Sequence, residues 1–259
     1  TNFDSCVLQL NSLYSVIVSI IENSKLKMSN YLIIGASSGI GKKTAEFLKK
    51  SGHQVYGTYN KTQNTNEDEP SDLFHLDVLA NNFSLDFLPD QLDGLIYCPG
   101  SINLRPFERL KEEDFLNDYK LQVLGAIKSI QAVISRLKKS EIGSIVLFST
   151  VAVQVGLSFH TQVSTSKGAI EGLTRALAAE YAPKIRVNCV APSLTDTPLA
   201  FSLLNTEQKI EANAQRHPLK RIGTTDDIAN IVEFLVSSKA SWITGQIIHV
   251  DGGISTLKT

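Results

Sequence analysis

The stretch "IIGASSGIGKKTAEFL", residues 33–48, decides the fold of this protein. Its first residues are apolar, as in a buried strand, and the residues after Gly39 follow the period of an α-helix. Gly35, Gly39 and Gly41 occupy the turn between the two elements. Glycines let the backbone approach a ligand closely, and the amino end of a helix offers free N–H groups and a positive dipole end. The stretch therefore predicts a strand-turn-helix unit that binds a phosphate group.

Short apolar runs alternate with longer stretches of helical period along the rest of the chain. This alternation is typical of β-α-β units with a parallel sheet, and no repeat or long linker divides it, so we expect one α/β domain. The predicted strands cover residues 31–35, 53–59, 73–78, 94–100, 143–150, 184–192 and 245–250. The predicted helices cover residues 39–51, a weak segment 84–90, 112–138, 162–181, a loop-and-helix segment 197–215, and 225–237.

Residues 1–27 do not belong to this pattern. The apolar run within them is interrupted by polar residues and no Lys or Arg precedes it, which disfavours a membrane span or a signal peptide. Met28 is the only methionine and stands directly before the first predicted strand. We expect residues 1–27 to be an upstream extension, of non-native origin or from the choice of start codon, and residues 28–259 to form the domain. The alternative is an amphipathic helix that docks on a partner subunit.

The composition excludes several classes of partner. There are 25 Lys and Arg residues against 26 Asp and Glu, a formal net charge of -1, so no overall field attracts nucleic acid or an anionic membrane. Three cysteines lie far apart without metal-ligand spacing, which argues against a disulfide framework and a metal site. A reducing, cytoplasmic location fits this pattern best.

Five motifs occur in an order and spacing that resemble one enzyme family. They are "GASSGIG" (35–41), "LDV" (76–78), "TSKGA" (165–169), "IRVNCVAP" (185–192) and "TGQIIHVDGG" (244–253). Together they resemble the short-chain dehydrogenase/reductase family, in particular the classical branch that includes the 3-oxoacyl-carrier-protein reductases. The resemblance runs from Tyr31 to about Ser255. It implies a Rossmann-type, doubly wound, seven-stranded parallel sheet in three α/β/α layers, and a nicotinamide cofactor.

The resemblance also implies which residues hold that cofactor. They are Gly35, Ser37, Ser38, Gly39, Ile40 and Gly41 in the turn, Tyr59, Asn60 and Lys61 after the second strand, Asp77 and Val78 at the adenine, and Lys167, Val190, Thr195 and Thr197 at the nicotinamide end. A carboxylate after the second strand would repel a 2′-phosphate, and residues 59–61 contain none. NADP(H) is therefore favoured, with NAD(H) still possible. Lys42 or Lys61 would supply the compensating charge, or both are surface lysines.

The reaction end departs from the family pattern. In this family a tyrosine four residues before the lysine supplies a proton, while a serine positions the substrate carbonyl and an asparagine anchors a water relay. Lys167 matches the lysine, but Val163 stands at the tyrosine position. Thr150 falls at the serine position and Gln122 at the asparagine position. Valine can neither donate nor accept a proton.

Two functions remain open at this point. The first is an oxidoreductase that moves a hydride between the cofactor and a carbonyl or alcohol substrate, with an atypical proton donor such as His160, and less favourably Ser164 or Ser166. The second is an inactive nucleotide-binding or assembly subunit. Under both hypotheses the resemblance implies a homodimer or homotetramer, formed through residues 112–138, 162–181 and the C-terminal strand.

Overall fold

The computed structural model describes residues 28–61, 73–81, 84–141 and 143–258. Within them, seven strands form a single parallel sheet in the order β3-β2-β1-β4-β5-β6-β7. The strands are β1 (Asn30–Ile34), β2 (Gln54–Tyr59), β3 (Leu73–His75), β4 (Gly94–Tyr97), β5 (Gly143–Phe148), β6 (Ile185–Pro192) and β7 (Ile247–Val250). The prediction of a doubly wound, seven-stranded sheet of Rossmann type is confirmed.

Helices cover both faces of this sheet. They are α1 (Gly39–Lys50), α2 (Glu112–Tyr119), α3 (Gly125–Leu137), α4 (Ala152–Val155), α5 (Thr161–Tyr181), α6 (Phe201–Leu204), α7 (Glu207–Gln215) and α8 (Thr225–Val236). Buried residues of α1 and α8 belong to one hydrophobic cluster, and those of α3 and α5 belong to another. The structure therefore has the three α/β/α layers that the sequence predicted.

The alternation of β1 explains why both faces must be covered. Tyr31 and Ile33 join the cluster of α1 and α8, whereas Leu32 and Ile34 join the cluster of α3 and α5. Successive side chains of a strand point to opposite faces of a sheet. Since all four are at most 1% exposed, the strand is buried on both sides, as in other parallel sheets.

The order of strands places a crevice beside β1. The chain moves from β1 to β2 and β3 on one side, and then crosses to β4 on the other side. In open sheets of this kind, ligands bind at the carboxyl ends of the strands where the order reverses. The turn after β1 lies at that point, so the fold puts Gly35 at the head of the crevice.

The weak helix predicted for residues 84–90 is wrong. These residues form a turn in which the Ser84 hydroxyl accepts a hydrogen bond from the Asp86 N–H (3.1 Å), and Leu88 N–H donates to the Leu85 carbonyl (3.1 Å). Pro89 lacks an N–H and disfavours helical backbone at the residue before it. The apolar spacing has another cause, because Leu85 and Leu88 are buried in the core.

The helix predicted for residues 112–138 is interrupted. A π-helical segment, Lys120–Leu124, separates α2 from α3. An extra residue in a helical turn is costly and is frequent at functional sites. Here it includes Gln122, which is 1% exposed.

Two predictions from the sequence fall outside the described residues. These are the interpretation of residues 1–27 and the state of Cys6, one of the three cysteines. Among the described residues, no helix is both long enough and apolar enough to cross a membrane. The same residues contain no group of three His, Cys, Asp or Glu side chains with the geometry of a metal site.

Candidate active site

The glycine turn after β1 has the backbone that its sequence requires. Gly35 and Gly39 have φ angles of 80° and 53°, and residues with a Cβ atom rarely adopt such values. A Cβ atom on Gly41 would lie 2.1 Å from the carbonyl oxygen of Gly35. The side chain of Ser38, at the N-cap of α1, makes no capping hydrogen bond, so it does not occupy the N–H groups of the first helical turn. The turn therefore fits a phosphate group at the amino end of α1.

The turn contacts the loops that follow β4 and β6. A Cβ on Gly35 would lie 3.4 Å from Pro99, and one on Gly39 would lie 3.5 Å from the methyl group of Thr197. Elements far apart in sequence thus meet at the carboxyl edge of the sheet. A Cβ would make only ordinary contacts there, so the positive φ angles are the reason for glycine at both positions.

A cavity of about 310 Å³ extends from this edge between the loops. The reaction-end residues predicted from the sequence all line it, namely Gln122, Thr150, His160 and Lys167, together with Val163. Ile40, Thr195 and Thr197 of the predicted cofactor set line it as well. The structure therefore brings the glycine turn and the predicted reaction end to one cavity.

Lys167 is a buried cation on the wall of this cavity. Burial lowers the pKa of its ammonium group to about 8, although Cys189, Asp118 and Cys98 act in the opposite direction. Among the described residues, none accepts a hydrogen bond from its Nζ atom, and none forms a salt bridge with it. A buried ammonium with free donors is suited to bind a polar group of a ligand.

Val163 precedes Lys167 by one turn of α5 and lines the same cavity. Residues four apart lie on one face of a helix, so the side chain at position 163 is a neighbour of the Lys167 side chain. The structure puts an isopropyl group there. A phenol is absent from position 163, as the sequence indicates.

The amide nitrogen of Gln122 already has a protein partner, so it is less available to bind a relay water. Its Nε2 atom donates a hydrogen bond to Asp118 Oδ1 (2.7 Å), and the same oxygen accepts from the Ser101 hydroxyl. Asp118 is 3% exposed, and Ser101 lines the cavity. Sequence analysis missed both residues. The four-residue spacing of Asp118 and Gln122 on one helix was a usable signal, whereas nothing in the sequence linked Ser101 to them.

His160 is held at the start of α5. Its Nδ1 atom lies 2.7 Å from the Ser158 carbonyl oxygen, which can only accept, so Nδ1 carries the proton. Nε2 is then the nitrogen that accepts in the neutral ring and donates in the charged one. Phe159, directly before it, has a φ of 68°, an uncommon value for a residue with a large side chain. The loop thus fixes the imidazole at the cavity.

A second histidine, which the sequence did not identify, borders the cavity on another side. His217 is 3% exposed, and its Nδ1 lies 2.8 Å from the Asn213 carbonyl oxygen. Its Nε2 lies 2.8 Å from the hydroxyl of Ser193, which follows β6. The serine therefore has a specific partner, and the pair forms a polar part of an otherwise largely apolar wall.

Other predicted cofactor residues lie away from the cavity wall. Asn60 and Lys61 follow β2, where Asn60 Nδ2 lies 3.5 Å from Asp77 Oδ1, and Lys61 is exposed. Asp77 accepts a hydrogen bond from Leu79 N–H (2.9 Å). Val78 and Val190 are buried in the two core clusters, so their side chains contribute packing at these places. The ring of Tyr59, at the end of β2, makes an edge-to-face contact with the ring of His75.

The segment over the cavity, predicted as loop and helix, consists of short pieces. A 3-10 turn (Pro198–Ala200), α6 and α7 follow one another. Leu199 and Leu203 line the cavity, Leu204 is buried, and Phe201 is 67% exposed. The leucines are therefore divided between the cavity and the core.

Comparisons with known proteins agree with this architecture. A family model described as enoyl-(acyl carrier protein) reductase matches residues 35–255. The 3-oxoacyl-acyl-carrier-protein reductase FabG of Buchnera aphidicola is 32% identical over 242 residues, which cover 89% of this chain and 98% of the relative.

Solved structures give the same result. The ligand-free aldohexose dehydrogenase of Thermoplasma acidophilum has a TM-score of 0.80 and 27% identity, over 91% of this chain and 98% of that one. A structure described as ElxO with NADP bound has a TM-score of 0.76 and 25% identity, over 89% of this chain and all of that one. The two descriptions name different molecules, a sugar and a nucleotide.

Proposed function

The chain belongs to the short-chain dehydrogenase/reductase family, and from that premise we propose that it is an NADP(H)-dependent oxidoreductase which interconverts a carbonyl compound and an alcohol. One observation carries the proposal. Ile40 of the glycine turn and the buried Lys167 line the same cavity, so a dinucleotide held by the turn would have its reactive end near a cationic group.

The choice of NADP(H) rests on the residues after β2. The described residues 59–61 contain no carboxylate that would repel a 2′-phosphate, and Lys61 is exposed there. Lys42, on α1, lies 4.0 Å from Glu46, a long contact that leaves its ammonium available to a phosphate. The bound NADP described for ElxO supports the same choice.

The cofactor, when bound, accepts or supplies the hydride that converts an alcohol into a carbonyl compound or the reverse. Lys167 would hold a ribose hydroxyl through its free donors. Thr150 follows β5 and offers a hydroxyl to the substrate oxygen, with Oγ1 also accepting from Ala152 N–H (3.3 Å).

The proton donor is atypical, because position 163 has no hydroxyl. His160 is the candidate that the sequence identifies, and the hydrogen bond to Ser158 supports it by leaving Nε2 as the reactive nitrogen. A positioned general acid contributes about 10²- to 10⁴-fold, so an enzyme that lacks the phenol can still turn over slowly.

Val163 also supports a second function, an inactive subunit that binds the nucleotide and assembles with other copies or with an active relative. Assembly as a dimer or tetramer is part of both proposals. Leu116, Tyr119 and Leu124 are 38–49% exposed along α2 and the π-helical segment, which suits a helical interface. We place the protein in the cytoplasm, since Cys98 and Cys189 are free thiols.

Calorimetry with NADPH and NADH, followed by NADPH oxidation with a panel of ketones and 3-oxo esters, tests these proposals. Binding of NADPH with turnover of a ketone supports the oxidoreductase. Loss of that turnover in His160→Ala, with NADPH binding retained, would assign the proton to the imidazole. Binding without any turnover supports the inactive subunit, and no binding contradicts both.

A further inference from the structure

A buried carboxylate lies behind the cavity wall near Lys167. Asp118 is 3% exposed, and its Oδ1 accepts hydrogen bonds from the Ser101 hydroxyl and from Gln122 Nε2 (2.7 Å). Burying a carboxylate is costly unless donors or a cation compensate for its lost hydration. A costly group directly behind the cavity wall, where an apolar residue would pack more favourably, indicates a role in the site.

This cluster has unused hydrogen-bonding capacity. Asp118 Oδ2 and Gln122 Oε1 are buried and have no hydrogen-bond partner among the described residues. Gln122 Oε1 would lie 3.7 Å from a Cβ on Gly100, which lines the cavity. Gln122 lines the same cavity as Lys167, and Asp118 acts electrostatically on that ammonium, whose donors are also unused. Buried polar groups are normally paired, so the arrangement is complete only when further polar atoms or protons are present.

Ser101 connects the carboxylate to the cavity. It lies in the loop after β4 and lines the cavity, whereas Asp118 stands behind it. Because its hydroxyl hydrogen is donated to Asp118, its oxygen is left to accept a hydrogen bond from the cavity side. A substrate hydroxyl in the cavity is a donor of the kind that this oxygen accepts.

From this geometry we propose that Ser101 and Asp118, rather than His160, form the proton relay that replaces the phenol missing at position 163. The relay rests on the proposed oxidoreductase function. In alcohol oxidation the substrate hydroxyl gives its proton to Ser101 Oγ, and the former hydroxyl proton of Ser101 passes to Asp118, which becomes a carboxylic acid. The hydride of the carbinol C–H bond, with its two electrons, would pass to the oxidised nicotinamide nucleotide, which is thereby reduced. In ketone reduction each transfer runs in reverse.

The charges around the relay favour this assignment. The groups that act on Lys167 are Asp118 from α2, Cys98 from the loop after β4 and Cys189 from β6. Burial raises the pKa of both thiols to about 12, so both are neutral near neutral pH. Asp118 is then the only carboxyl group in this set. The relay carboxylate is therefore the one anion among the groups that act on the ammonium.

The coupling is tested first without cofactor or substrate. The titration of Lys167 is followed by NMR in the full chain with ¹³C-labelled lysine, for the native protein, Asp118→Asn and Ser140→Ala. Ser140 donates to Asp93 in another buried serine–aspartate pair, which lies at the amino end of the sheet, and is the matched control. Asp118→Asn should lower the Lys167 midpoint by about one pH unit, because the neighbouring negative charge is removed. An unchanged midpoint would overturn the relay.

The relay itself is tested by turnover of the best ketone and its alcohol from the panel. Asp118→Asn and Ser101→Ala should each reduce kcat for alcohol oxidation at least about tenfold and remove its decline at acidic pH, with KM for NADP little changed. Ser101→Thr keeps the hydroxyl and should restore most of the rate, while Ser140→Ala should behave as native. Native kcat and pH profiles in Asp118→Asn would overturn the relay alone. Absence of turnover in the native protein, despite NADPH binding, would instead overturn the oxidoreductase proposal.

Discussion

Val163 and Lys167 lie one helical turn apart on α5, and both side chains line the cavity at the carboxyl edge of the sheet. An aliphatic group and a buried ammonium are thus neighbours at the point where this family places a phenol and an ammonium. The ammonium retains its setting, since burial lowers its pKa to about 8. What differs at this site is the side chain at position 163, where the family has its tyrosine.

Restoring the phenol should accelerate the reaction. Val163→Tyr would put a hydroxyl beside Lys167, whose positive charge favours the phenolate and so improves proton transfer. We expect ketone reduction to be at least about tenfold faster than in Val163→Phe, which adds the same ring without the hydroxyl. Steady-state kinetics of both variants with the same ketone provide the measurement. Equal rates in the two variants would show that position 163 no longer faces the reacting atoms.

Removing the buried ammonium should stabilise the fold and impair binding. The folded-state pKa of Lys167 is about 8 against 10.5 in a free lysine, so charging it costs stability at all pH values below about 8. That cost declines between these two values and is absent above 10.5. Lys167→Met should therefore raise the melting temperature by a few degrees at pH 7, and the gain should disappear in strongly alkaline buffer.

Thermal unfolding followed by circular dichroism checks this, with Lys184→Met as the exposed control. The same Lys167→Met variant should bind NADPH more weakly than native protein at pH 7. In the native protein, NADPH affinity should decline as the pH rises above about 8, because the ammonium loses its proton. An affinity that is constant from pH 7 to pH 9 would contradict a role for the charge.

The glycine turn should not tolerate a methyl group. In Gly41→Ala the new Cβ would lie 2.1 Å from the carbonyl oxygen of Gly35, so the turn must move. We expect a loss of about 1–3 kcal/mol in the free energy of unfolding and little or no NADPH binding. Gly172→Ala is the control, since it lies exposed in α5 with no atom near its Cβ and should gain about 0.5–1 kcal/mol. Denaturant unfolding and calorimetry measure both effects.

Cofactor preference should follow the charge after β2. Asn60→Asp would place a carboxylate where a 2′-phosphate is expected, and repulsion between the two should reduce the preference for NADPH over NADH roughly tenfold. Asn60→Gln keeps the amide and is the neutral control. Dissociation constants of NADPH and NADH for the native protein and both variants provide the measurement. An unchanged ratio of the two constants in Asn60→Asp would show that the 2′-phosphate binds elsewhere.

Much of the fold was predictable because its signals are local. Alternating apolar runs and helical periods predicted the seven strands, and the glycine spacing predicted the turn at the head of α1. Residues 84–90 were predicted wrongly for a local reason as well, since the Ser84 turn and Pro89 outweighed the apolar spacing of Leu85 and Leu88. The π-helical segment at Gln122 has no comparable signature in a single sequence.

The sequence by itself determined the strand-turn-helix unit and the aliphatic residue at position 163, because each depends only on residues that are close together in the chain. Only the tertiary structure decided that Ser101 meets Asp118 and that Ser193 meets His217. Those pairs depend on how loops at the carboxyl edge fold over one another. The pairs are stabilised by burial and by hydrogen bonds between residues far apart in the sequence, and the periodicity of a sequence gives no information on such contacts.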